Sequence, residues 1–142
     1  MMKRFDFLIG TWRLDHLVPQ SELSQAMTGR GTRIFRRVLN DKYVFFDYTS
    51  TFSNGTAGAA HAVFARDDKA GLYRYWWFED SGAFLTATCH FINDETLFLN
   101  WQDTQLTQTF AKVGPDQVIL RMEQPNSQGQ RETVLEVLMT RE

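Results

Sequence analysis

The residues of this chain that could carry out chemistry are few and scattered. The three histidines, His16, His61 and His90, fall in three different expected strands. A zinc site needs ligands that converge to within about 2.0 to 2.3 Å of one metal, and nothing in this spacing brings them together, so no metal is expected. Cys89 is the one cysteine and stands beside His90, as a nucleophile stands beside its base. Successive side chains on a strand point to opposite faces, however, so the two form no dyad. Glu79 and His90 are the candidates for acid and base in an alternative, enzymatic reading, an isomerase or lyase, in which both reach one cavity. Asp47, in Tyr43-Val44-Phe45-Phe46-Asp47-Tyr48, is left outside if Val44, Phe46 and Tyr48 look inward. Among the arginines, Arg33 and Arg37 share a face and Arg36 takes the other. At least one guanidinium can therefore point inward as anchor for a ligand carboxylate, and the sequence leaves open which.

The elements that must hold these groups are strands. From Thr11 onward, short runs rich in β-branched and aromatic residues alternate with turn clusters such as Ser53-Asn54-Gly55, Asp67-Asp68-Lys69-Ala70-Gly71, Asp80-Ser81-Gly82, Asn93-Asp94 and Gly114-Pro115-Asp116. Gly, Asn, Asp and Pro supply the backbone angles that tight turns need. This spacing predicts an all-β, antiparallel, up-and-down barrel of about ten strands, as a single domain over residues 1–142. Only residues 2–9 and 22–27 could be helical, and both segments are short. Gly29-Arg30-Gly31 lacks the strand-loop-helix setting of a phosphate loop and marks a bend in the barrel instead.

Hairpin loops fix which residues share a face. Turns at Asn93-Asp94 and Asp103-Thr104 place Thr86 opposite Trp101, Thr88 opposite Leu99, and Leu97 opposite Phe110. A three-residue loop at Gly114-Pro115-Asp116 adds Val118, Leu120 and Met122 to that face, and a turn at Asp80-Ser81 adds Tyr73, Tyr75 and Trp77. The expected interior thus has Leu97, Leu99, Leu106, Phe110, Leu120 and Met122 as apolar lining, and Tyr73, Tyr75, Trp77, Thr86, Thr88, His90, Trp101 and Gln108 as ligand-binding residues. Buried hydroxyl and imidazole groups without partners are costly, so this mixture predicts a hydrated cavity of at least ~300 Å³ that receives a small, amphiphilic molecule. The opposite face then carries Arg74, Trp76, Phe78, Leu85, Ala87, Cys89, Phe91 and Phe98. That is too apolar for a wet exterior, which predicts a homodimer.

Composition narrows the classes further. With 14% aromatic, 43% hydrophobic and 23% charged residues, the chain has the apolar area to fold that disordered chains lack. A net charge of -2 supplies no field for a polyanion, so neither nucleic acid nor a membrane surface is expected as a partner. The apolar stretch after Met1-Met2-Lys3-Arg4 is interrupted by Asp6 and too short for a signal peptide. A lone thiol suits a reducing compartment, and a cytoplasmic protein is expected.

Phe7-Leu8-Ile9-Gly10-Thr11-Trp12 sets a short apolar turn before Gly-x-Trp at the head of the first strand, which resembles the opening of lipocalin-like (calycin) barrels. With Gly29-Arg30-Gly31, Asp47-Tyr48 and Tyr75-Trp76-Trp77-Phe78-Glu79, nearly the whole chain resembles an uncharacterised bacterial lipocalin-like domain family. The resemblance implies that Trp12 packs across the closed end of the barrel. A nitrobindin-like haem barrel is similar in layout, but Arg13-Leu14-Asp15-His16 stands where its glycine-rich signature would follow the first Trp. No haem or other cofactor is expected.

Overall fold

The structure, a computed structural model, describes residues 2–22 and 24–142. A short 3-10 helix, Lys3–Leu8, precedes β1 (Gly10–Val18), β2 (Met27–Val38), β3 (Tyr43–Phe52), β4 (Ala57–Asp67), β5 (Leu72–Glu79), β6 (Phe84–Asn93), β7 (Thr96–Trp101), β8 (Thr107–Gly114), β9 (Gln117–Pro125) and β10 (Arg131–Arg141). Each strand pairs antiparallel with its neighbours in sequence, and β10 closes onto β1 through pairs such as Leu14 with Met139. Closure removes the unpaired edges that an open sheet exposes. Leu23, within the segment 22–27 considered as a helix, lies outside the described residues; Ser24 to Ala26 are not helical and Met27 begins β2.

Alternation along the strands fills the closed end of the barrel. β1 buries Trp12, Leu14 and His16 and exposes Arg13, Asp15 and Leu17 between them. The 3-10 helix plugs this end with Phe5, whose ring centroid lies 4.9 Å from Phe64, 5.1 Å from Tyr73 and 5.1 Å from Phe91. Trp12 is 1% exposed, its indole N–H donates to the Leu8 carbonyl at 2.8 Å, and the Arg141 guanidinium lies 4.2 Å over its ring. Trp12 thus ties the helix to the first strand at the closed end. Above it, Phe35, Phe46, Phe64, Phe110, Leu97, Leu99 and Leu120 leave a dry core. At Gly31 an added Cβ would stand 2.0 Å from the Thr49 carbonyl oxygen, so β2 can press against β3 only without a side chain there.

One strand faces the other way from its expected orientation. β6 pairs Tyr73 with Cys89, Tyr75 with Ala87 and Cys89 with Leu99, each one residue off the register drawn from the turns. The β5–β6 connection is closed by Phe78 paired with Phe84, and Gly82 at φ 90° makes its left-handed corner. At the other end Asn93 pairs with Thr96, and a bulge lies between Phe91 and Asn93. A slip of one residue turns over a whole strand. Ala87, Cys89 and Phe91 therefore join the core, while Thr86, Thr88 and His90 face outward. Cys89 and His90 do point apart. The strands on either side of β6 keep their expected faces: Tyr73, Tyr75 and Trp77 on β5, Leu97, Leu99 and Trp101 on β7, Gln108 and Phe110 on β8, and Val118, Leu120 and Met122 on β9.

Candidate functional site

The open end of the barrel is less completely filled than the closed end. Arg33, Tyr48, Trp77, Glu79, Leu85, Trp101, Leu106, Gln108, Met122 and Leu135 line a cavity of about 220 Å³ there. It is smaller than the ~300 Å³ expected from the sequence, because Phe35, Phe46, Phe64 and Phe110 fill the barrel below it. Of the expected ligand-binding residues, Trp77, Trp101 and Gln108 line it. Tyr75 is buried beneath, its ring 5.2 Å from that of Trp101. Tyr73 packs in the closed half against Phe5 and Phe91. Thr86, Thr88 and His90 lie on the outer surface of β6, where Thr86 donates to Gln102 at 2.8 Å and the His90 ring lies 5.3 Å from Phe98.

The polar groups of the mouth are held in pairs. The Trp77 indole N–H donates to Glu79 Oε2 at 2.9 Å and the Ser81 hydroxyl to Oε1 at 2.8 Å. These bonds favour the ionised carboxylate, and they hold its pKa below the usual range. A general acid would need the opposite shift. With His90 outside the barrel, the Glu79/His90 acid–base pair is not assembled. Trp101 donates to Gln108 Oε1 at 3.2 Å. His16, reached from β1, shares a 2.9 Å hydrogen bond with the Tyr48 hydroxyl. Burial, and then the neighbouring Arg33 charge, lower its pKa to about 4, so it is neutral at pH 7.

Arg33 settles which arginine turns inward. β2 places it two residues before buried Phe35, on the same face, and it is only 4% exposed. Its guanidinium carbon lies 4.9 Å from the Phe46 ring centroid, 4.8 Å from Tyr48, 5.9 Å from Trp77 and 5.6 Å from Phe110. Its Nε and Nη1 have no hydrogen-bond partner, and the Tyr75 hydroxyl is likewise unpartnered. Ring contacts of this kind contribute about 2 kcal/mol when desolvated. Burying an ion costs several kcal/mol even after relaxation, and the rings leave both N–H donors unsatisfied.

Sequence reasoning narrowed the inward arginine to a choice it could not make, although the alternation of Arg33 with Phe35 carried the signal. Leu135 was not assigned to a face, because the register drawn from the turns stopped at Met122; in the structure the β9–β10 pairing shifts between Thr133 and Leu135. Asp47 faces outward, bonded to Arg36 at 2.7 Å and to His61. Among the described residues, no three His, Cys, Asp or Glu side chains gather to hold a metal, and no helix is long and apolar enough to cross a membrane.

No family model and no curated protein matches the chain. Solved structures do. Rv2717c from M. tuberculosis superposes with a TM-score of 0.69 at 10% identity, over 99% of this chain and 96% of that one. The S-type phycobiliprotein lyase CPES from Guillardia theta gives 0.59 at 13% identity, over 99% of this chain and 91% of that one. The redesigned β-barrel mFAP0, bound to DFHBI, gives 0.54 at 13% identity, over 95% and 99%. At these identities the likeness concerns the fold: the chain is a closed, antiparallel ten-stranded β-barrel of the architecture those proteins share.

Proposed function

We propose that the mouth of the barrel binds a small, partly apolar molecule. The observation that carries this reading is a barrel filled in its closed half that keeps, at its open end, a cavity of about 220 Å³ walled by two indoles and aliphatic side chains together with polar groups. A chain selected only for stability would fill that volume, since voids forfeit dispersion contacts. Pockets of mixed lining at barrel mouths are the usual place for small ligands. A barrel of the same architecture bound to DFHBI and another that is a phycobiliprotein lyase give the reading support. The lipocalin-like kinship and the cytoplasmic location belong to this proposal, as does a homodimer. With Ala87, Cys89 and Phe91 inside, the dimer rests on a smaller outward patch, Trp76, Phe78 and Phe84.

The test is a cavity-filling variant. Leu135→Trp should keep the fold and abolish the saturable, one-to-one binding that a panel of small amphiphiles shows with the wild-type protein in calorimetry. Binding that survives Leu135→Trp, or a wild type that binds no member of the panel, would contradict the reading.

A further inference from the structure

We propose that the molecule taken at the mouth is an apolar acid, and that Arg33 is the anchor for its carboxylate. This deepens the small-molecule reading and rests on it. The charges of the protein are arranged unusually. Arginines at the surface such as exposed Arg36 and half-buried Arg74 and Arg121 each pair with a carboxylate, at 2.7, 2.7 and 3.1 Å. Arg33, buried at 4% exposure, has no ion pair among the described residues. Buried charges are as a rule paired, and a guanidinium does not escape the cost by losing its proton.

Among the described residues no carboxylate forms an ion pair with Arg33. The charged carboxylate that borders the same cavity, Glu79, is held at the rim by Trp77 and Ser81 and makes no direct contact with the guanidinium. Burial raises the Tyr75 hydroxyl and the Cys89 thiol far above neutrality, so both stay uncharged. The unmet donors, Arg33 Nε and Nη1 and the Tyr75 hydroxyl, all call for an acceptor oxygen. A carboxylate on a ligand supplies acceptor oxygens and a single negative charge together, and guanidinium–carboxylate pairs are among the strongest hydrogen-bonded contacts. The rest of the ligand is apolar, because Trp77, Trp101, Leu106, Met122 and Leu135 form the walls. Glu79 at the rim disfavours a second negative charge.

The probes are 2-naphthoate and 2-naphthamide, which share a shape and differ in charge at neutral pH, titrated by calorimetry into the wild-type protein and Arg33→Met. The wild type should prefer the carboxylate by about tenfold or more, and Arg33→Met should reduce the preference to about twofold or less. Without ligand, Arg33→Met should fold with a denaturation midpoint at or above that of the wild type, because it removes an uncompensated buried charge. If it does not fold, Arg33→Gln takes its place with the same readings. A wild type that binds the amide as tightly as the acid, or a preference that survives in the variant, would overturn the anchor and leave the small-molecule reading standing. Failure of both probes to bind the wild type would overturn the two together.

Discussion

His16 reports on the electrostatics of the mouth. Its imidazole is 3% exposed, and burial followed by the Arg33 charge lowers its pKa from 6.5 to about 4. Between those values the unfolded chain binds more protons than the folded one. The contribution of His16 to stability is therefore fully present above pH 6.5 and is lost as the pH falls toward 4. His16→Gln, which can still bond the Tyr48 hydroxyl, should flatten the decline in denaturation midpoint between about pH 7 and about pH 4.5. An unchanged decline would mean that His16 is solvated. Single residues were partly legible in advance. The outward face of Asp47 and the inward face of Tyr48 follow from alternation alone, and so would Arg33, once Phe35 two residues later is taken as core. The unpaired state of Arg33 was not legible, because it depends on where Glu79 finds its own partners.

Among the elements, β6 shows where local sequence misleads. Its two faces are Thr86, Thr88 and His90 on one side and Ala87, Cys89 and Phe91 on the other, and this contrast marks the second as the core side, against the register drawn from the turns. Face choice rested on the turns instead, and both were one residue away from where Asp80-Ser81 and Asn93-Asp94 placed them. A bulge before Asn93 is invisible to period-two counting. The turns flanking β8, at Asp103-Thr104 and Gly114-Pro115-Asp116, were read in the register that pairs Leu99 with Gln108 and Phe110 with Leu120. The orientation of β6 predicts opposite responses at adjacent positions. Thr88→Leu should change stability by no more than about 0.5 kcal/mol and leave ligand uptake unaltered. Ala87→Leu should cost about 1 to 3 kcal/mol by overpacking the core. Urea denaturation of both variants decides, and a reversed order would restore the orientation first drawn from the turns.

At the scale of the whole molecule, regular turn spacing was enough to foresee a closed barrel of ten strands, because alternation and turn chemistry agree along most of the chain. The size of the cavity was not foreseeable, since it depends on how far Phe5 and the phenylalanines of β2, β3, β4 and β8 fill the interior. The outward aromatic patch, with Phe84 68% and Phe78 46% exposed and their rings 6.4 Å apart, predicts a dimer in light scattering that Phe84→Asp converts to monomer; a wild-type monomer would contradict it. The central claim is that a small molecule enters the open mouth, and the four tryptophans are placed to test it. Trp77 and Trp101 line the cavity, Trp12 lies at the closed end, and Trp76 faces outward. The decisive measurement follows the four indole N–H signals by nuclear magnetic resonance while 2-naphthoate is added. Saturable shifts of the Trp77 and Trp101 signals, with Trp12 and Trp76 unmoved, are the predicted result; shifts confined to Trp76, or no saturable shift at all, would contradict the account.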